Sequence, residues 1–190
     1  FLWNDPVTAE EARATLGELT GPLLDVGLLV SQPDGGVVSP FVLSLAGDLF
    51  LLSDELAHGD AAVMGFSENT VALGGAAFPR WPLGRVLDLG CGAGTLGVML
   101  ARGAREVIGT DVNPRALALA RVNAILNGIE NLELRRSDLF AEVAGESFDL
   151  IVSQPPFVPH PEGVAGASFL YGGSRGDEIA LALLGGLAAH

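Results

Sequence analysis

The stretch RVLDLGCGAGTLGVMLARG, residues 85–103, decides the fold. RVLDLG (85–90) is a short apolar run of the kind that forms a buried strand, and GTLGVMLARG reads as a helix closed by Gly103. Between them Gly90, Gly92 and Gly94 make a turn in which the backbone bends tightly and a ligand can approach it closely. Outward from this unit the pattern repeats. EVIGTD (106–111) reads as a second strand, and Asn113 then caps a helix with Pro114 at its first position and Gly128 just past its end. NLELRR (131–136) alternates as a third strand, and FDLIVS (148–153) is a fourth. Strands alternating with helices imply right-handed crossovers and a parallel sheet, hence an α/β domain. Ligands of such sheets bind outside the carboxyl ends of the strands.

Composition narrows the class. The chain has 190 residues, 49% of them hydrophobic, enough for one sizeable core or for one core and a small accessory unit. No apolar run reaches the roughly 18 residues that a membrane span needs, and no signal peptide is legible. The single cysteine, Cys91, excludes an internal disulfide and a multi-cysteine metal site, and a cytoplasmic location is expected. The net charge is −13, and all ten basic residues are arginines. A sequence-independent grip on a phosphate backbone needs clustered basic side chains, and this chain offers only Arg135–Arg136. Charge therefore disfavours nucleic acid as a partner.

Residues 1–62 read as a separate, acidic α+β unit, with Arg13 its one basic residue. Thr8 and Glu11 have capping-box spacing, with Ala12, Leu16 and Leu19 following on one helical face. Thr20-Gly-Pro restarts a short helix carrying Leu23 and Leu24. VGLLVSQPDGGVVSPFVLS then reads as two strands about a Pro-Asp-Gly-Gly turn, and GDLFLLSD as a third. Two helices and a β-ribbon resemble a winged-helix unit. The acidic balance points to packing or substrate covering rather than DNA binding.

Four signals stand at the strand ends. Asp88, just before the glycines, repels a pyrophosphate but suits an ammonium or sulfonium charge. Asp111 ends the second strand, where a carboxylate can accept both hydroxyls of a ribose, in NAD or in S-adenosylmethionine. Asp138 follows the third strand and can accept from an adenine amino group, with Leu139 against the ring. The fourth is QPPF, residues 154–157. Proline lacks an N–H, and a Pro-Pro pair holds the neighbouring carbonyls in fixed directions. Gln154 adds an amide oxygen and Phe157 a flat face, so the corner suits a planar acceptor bearing an NH2 group, held by proximity and orientation. Each signal also has a bland reading: a tight turn, a helix cap, a turn aspartate, a rigid loop.

Together, Asp88 through Gly94, Asp111, Ser137-Asp138-Leu139 and Gln154-Pro155-Pro156-Phe157 resemble the class I S-adenosylmethionine-dependent methyltransferases. The likeness is closest to the small-domain branch, which includes methyltransferases of release-factor glutamines and of ribosomal guanine amines. It covers roughly residues 63–180. The resemblance implies a Rossmann-like sheet and a donor site formed by Asp88, Gly90, Gly92 and Gly94 near the methionine end, Asp111 and Val112 at the ribose, and Asp138 and Leu139 at the adenine. GFSENT (65–70) falls where the branch closes over the methionine, which implicates Phe66 and Thr70. Gln154, Pro155, Pro156 and Phe157 take the catalytic corner, with Gln154 also beside the donor. YGGSRGDE (171–178) resembles a glycine-rich stretch before the next helix, with Asp177 in reach of that helix's N-terminus. No metal is implied.

Two departures stand out. The branch usually has Asn, sometimes Asp or Ser, where this chain has Gln154, whose arm is one methylene longer. A class I sheet also has seven strands, whereas residues 63–190 supply four. The resemblance thus implies that the remaining strands belong to a longer parent chain, since a half sheet with an open apolar edge is expected to be poorly stable or to associate. The expected activity is direct in-line methyl transfer to a nitrogen or oxygen on a protein or small molecule. The alternatives are a nucleic-acid base N-methyltransferase and a protein that binds S-adenosylmethionine without turnover.

Overall fold

The computed structural model describes residues 5–55, 61–77, 82–163 and 169–190. Its centre is a four-stranded parallel sheet formed by β6 (Leu83–Leu89), β7 (Ala104–Asp111), β8 (Leu132–Arg136) and β9 (Leu150–Val152), in the order β8-β7-β6-β9. The sheet is covered on both faces, so the central strands β6 and β7 carry apolar runs, Val86-Leu87 and Val107-Ile108, whereas the edge strand β8 alternates. Val86 and Val107 share one cluster with Leu96 and Leu100 of α4 (Thr95–Ala101), and Leu73 of α3 (Glu68–Ala77) packs against it. Leu87, Leu89 and Ile108 face the other way, toward Leu183 of α6 (Glu178–Gly186). Asp88 lies on β6 between Leu87 and Leu89, two residues on from Val86. It therefore points to the α4 side, where the N–H of Gly97 donates to its Oδ2 at 2.8 Å.

The helix after β7 is α5 (Pro114–Leu126). The Asn113 side chain accepts from the Arg115 N–H, Pro114 opens the helix, and Gly128 follows its end at φ 64°. Thus four strands and a capped helix lie within a few residues of where the sequence pattern puts them.

The first sixty residues divide differently from the sequence expectation. α1 (Ala9–Leu16) carries the expected capping box, with Glu11 N–H donating to Thr8 Oγ1 and Thr8 N–H to Glu11 Oε2. The helical repeat then breaks at Gly17, at φ 57°, and a single 3-10 turn spans Gly17–Leu19. Leu19 consequently leaves the apolar face and is 62% exposed, against the sequence reading. α2 (Thr20–Asp25) follows. β1 (Val7–Thr8), β2 (Val30–Ser31) and β3 (Gly36–Val38) form an antiparallel sheet in the order β1-β3-β2 around Ala12, Leu29 and Val37.

The second ribbon strand, expected to run on to Ser44, stops at Val38. Beyond Ser39-Pro40, β4 (Phe41–Ala46) instead pairs with β5 (Leu49–Asp54) in a separate two-stranded sheet. That hairpin packs on the large domain, with Leu49 and Leu51 sharing a cluster with Val98 and Ala124. The polar contacts are specific. Asn123 takes the Leu52 N–H on Oδ1 (2.7 Å) and donates to the Leu52 carbonyl (2.8 Å). Asn127 does the same for Phe50 (2.9 and 2.7 Å). Four helical residues rise about 6 Å and two strand residues about 6.6 Å, so asparagines at i and i+4 on α5 can meet alternate residues of β5. Asn123, fully buried, also donates to the Ala93 carbonyl in the glycine turn.

Candidate active site

At the carboxyl ends of β6, β7, β8 and β9 lies a cavity of about 380 Å³. Its floor is the turn after β6. The N–H groups of Gly90 and Cys91 both reach the Thr110 carbonyl at 2.8 Å, which folds the turn back over the end of β7. Gly90, Gly92 and Gly94 all have positive φ. At Gly94 a second constraint is decisive: a Cβ there would stand 2.7 Å from that of Ala120, so only glycine lets α4 start this close to α5. Gly94 acts from below and does not line the cavity, whereas Gly90 and Gly92 do.

Asp111 lines the cavity and organises its own surroundings. The Gly92 N–H donates to Oδ2 and the Asn113 N–H to Oδ1, both at 2.9 Å. Val112 stands beside it on the wall. Asp88 is 1% exposed, yet it is among the residues that line the cavity. Burial first, and the nearby Asp111 charge after it, push its pKa from an ordinary 3.8 up to about 7, against the opposing Gly97 N–H. Burial also raises the Cys91 thiol well above its ordinary range, and Asp88 and Asp111 add to this; the residue is a protonated packing group rather than a nucleophile.

Asp138 and Leu139 close one end. Leu139 is at φ 47°, a conformation that a leucine rarely adopts. It is held by Ser137, whose hydroxyl donates to the Leu139 carbonyl (2.9 Å) and accepts the Glu142 N–H (3.1 Å). The strained turn presents both residues to the cavity.

Gln154, Pro155 and Pro156 close the other end. The Ser153 hydroxyl donates to the Leu89 carbonyl at 2.7 Å, tying the exit of β9 to that of β6. The Gln154 amide oxygen accepts from the Thr70 hydroxyl (2.9 Å), and Thr70 in turn pairs with Ser67 (2.9 Å). Behind the prolines stands the glycine-rich loop. A Cβ at Gly172 would lie 2.4 Å from the Pro156 carbonyl oxygen, and one at Gly176 would lie 2.6 Å from that of Phe157. Backbone is therefore packed directly on the backbone of the corner. The expected interaction of Asp177 with the helix end is replaced: Asp177 pairs with the Arg175 side chain, while Glu178 accepts the Arg175 N–H and the Ser174 hydroxyl.

Besides Gly94, two residues read from the sequence stand apart. Phe66 packs against the Leu49, Leu51 and Val98 cluster and lies outside the cavity lining. Phe157 is 66% exposed, also outside the lining. Nearby, outside the lining, His160 stacks on Tyr171, ring centroids 4.1 Å apart. Conversely, of the wall formed by Ala62, Val63, Met64 and Gly65, only Gly65 falls in a stretch that the sequence marks, GFSENT; the three before it carried no signal. Among the described residues, no group of three or more His, Cys, Asp or Glu is placed to hold a metal, and no helix is long and apolar enough to cross a membrane.

A parallel sheet whose carboxyl ends cradle three carboxylates, a glycine turn and a proline corner is the arrangement of a class I, Rossmann-like methyltransferase domain. Residues 66–168 match the methyltransferase small domain model, and the chain belongs to that family. It is 40% identical over 99 residues to the "Putative protein N5-glutamine methyltransferase" of Methanocaldococcus jannaschii, covering 50% of this chain and 49% of that protein. It is 41% identical over 85 residues to the release factor glutamine methyltransferase of Escherichia coli, covering 44% and 30%. With the ribosomal RNA small subunit methyltransferase C of Haemophilus influenzae, identity is 43% over 76 residues, covering 39% and 22%. The match thus spans half or less of each relative's length. A T. thermophilus 16S rRNA N2 methyltransferase solved with AdoMet and guanosine superposes with a TM-score of 0.51 at 20% identity, over 82% of this chain and 47% of that one, a likeness of fold.

Proposed function

We propose that the chain carries the S-adenosylmethionine site of a methyltransferase acting on a nitrogen or oxygen of a protein or small molecule. The observation that carries this reading is the charge of the cavity. Asp88, Asp111 and Asp138 line it, and no arginine is among the described lining residues. Such a wall disfavours a pyrophosphate and favours a cationic donor. A buried carboxylate with a raised pKa, as at Asp88, is the group that gains most from a neighbouring positive charge. The residues therefore fit S-adenosylmethionine, with Asp88 and the Gly90–Gly92 backbone at its amino-acid end, Asp111 and Val112 at the ribose, and Asp138 and Leu139 at the adenine.

When bound, this group supplies an electrophilic methyl on a positively charged sulfur. The chain's own residues do the orienting. The Pro155 carbonyl, on a segment that the Gly172–Gly176 loop holds from behind, would accept a hydrogen bond from an N–H of the incoming amine and so aim its lone pair. Gln154 keeps its oxygen on Thr70, so its longer arm serves the cavity wall as well as the corner. Phe157, exposed beside the corner, is free to meet an incoming acceptor.

Charge supports a protein or small-molecule acceptor over nucleic acid. Arg135 is already engaged by Glu133 and Glu146, and Arg136 donates to the Val112 carbonyl. The test is calorimetric titration with S-adenosylmethionine and with NAD. Micromolar binding of the first, lost in Asp111→Ala, supports the reading. Binding of NAD instead, or of neither, overturns it.

A further inference from the structure

We propose that Asp54 and Arg115 form a latch that sets residues 61–65 as a wall of the donor cavity, making both positioning residues for the donor. The inference rests on the reading of that cavity as an S-adenosylmethionine site.

Asp54 ends β5, and its side chain is completely buried. A buried carboxylate is costly unless it is paired and hydrogen-bonded. Asp54 is both. Arg115, on the first turn of α5, grips it with two nitrogens, Nε to Oδ2 at 2.7 Å and Nη2 to Oδ1. Oδ2 also accepts the Val63 N–H at 3.0 Å. The Asp54 N–H then donates to the Val63 carbonyl at 3.2 Å, so one residue holds Val63 at both of its peptide groups.

The pins on either side agree. The Asn113 amide donates to the Ala61 carbonyl at 3.1 Å. At Gly65 a Cβ would lie 2.3 Å from the Ser53 hydroxyl, so this glycine lets the segment press onto β5. Between those pins Ala62, Val63, Met64 and Gly65 all line the cavity. Val63 is buried with Ala93 of the glycine turn and Ala116 of α5. Residues 62–65 have no regular secondary structure of their own, so their position depends on these contacts. Arg115 and Asp54 do not line the cavity; they act through Val63.

The experiment compares four proteins by S-adenosylmethionine calorimetry and by thermal melting: wild type, Asp54→Leu, Arg115→Met and the double variant. Arg115→Met strands a buried carboxylate and lowers the melting temperature, whereas the double variant removes both charges and recovers it. A latch predicts that the dissociation constant rises about tenfold or more in each single variant and stays raised in the double variant, as expected for loss of a charged hydrogen bond. If affinity recovers together with melting temperature, or never changes, the latch is overturned and the pair is merely structural. If Arg115→Met does not fold, the double variant alone decides. Arg102→Ala, which breaks the exposed Arg102–Asp48 pair, is the control and leaves affinity unchanged. Failure of the wild type to bind sinks the underlying site reading and the latch with it. Wild-type binding with unaltered variants sinks the latch alone.

Discussion

Thr70 and Gln154, 84 residues apart, meet across one end of the cavity, where the Thr70 hydroxyl donates to the Gln154 amide oxygen at 2.9 Å. The longer arm of glutamine thus joins the proline corner to the start of α3. Thr70→Val removes this bond and is expected to lower stability by about 1 kcal/mol, whereas Thr70→Ser stays near wild type. Urea denaturation of the three proteins checks this, and equal losses in the valine and serine variants would contradict it.

The raised pKa of Asp88 predicts a pH dependence with a definite sign. Folded Asp88 titrates near 7 and the unfolded residue near 3.8. Between those values the folded protein keeps a proton that the unfolded chain has lost, so stability from this group is full below pH 3.8 and falls as pH rises to about 7. Above that it is level. Asp88→Asn is expected to remove this slope, which denaturant midpoints measured between pH 4 and 8 would show by difference.

Donor binding runs the other way. A cationic ligand favours the charged carboxylate, so S-adenosylmethionine affinity is expected to rise by up to about tenfold per pH unit toward pH 7 and then level off. Calorimetry across that range, in buffers of different ionisation enthalpy, would register the released proton. An affinity independent of pH would mean that Asp88 does not sense the ligand's charge.

Gly172→Ala and Gly176→Ala each drive a methyl group into backbone of the proline corner. Backbone yields poorly, so each is expected to cost about 1–3 kcal/mol. Gly185→Ala, on α6 with open space around it, is expected to be neutral or to stabilise by about 0.5–1 kcal/mol. Denaturation midpoints decide, and a tolerated Gly176→Ala would show that the loop does not brace the corner.

The parts of this protein visible in its sequence are those governed by local pattern. β6 through β9 announce themselves as apolar runs, and α5 by Asn113-Pro114 and Gly128. The carboxylates were legible from their places: Asp88 just before the glycine turn, Asp111 at the end of a strand and Asp138 just after one. The hidden parts depend on distant contacts. Leu19 fits a helical repeat until Gly17 breaks it. The chain from Val38 to Phe41 looks continuous, yet Pro40 lies where it changes sheets. Phe66 sits in the right segment for a donor contact but turns to Leu49 and Leu51, which no local rule could pair with it. A boundary drawn at residue 62 separates Asp54 from Val63, two residues that bond to each other. Residues 62–64 of the wall are apolar without period and so gave no signal of their own.

The outer edge of β5 is occupied at every alternate residue, Phe50 by Asn127, Leu52 by Asn123 and Asp54 by Val63. Helix, strand and cavity wall are therefore gauged against one another like the scales of a vernier. A residue inserted between Leu52 and Asp54 would set the two sides one step out of register, so that the strand could keep its bonds to both asparagines or the reach of its carboxylate to Arg115, but not both. The same insertion at the Gly47-Asp48 tip would leave all three matches in place. In this hairpin, tolerance to a change of length is set by position along a single edge, from free at the tip to none at the base.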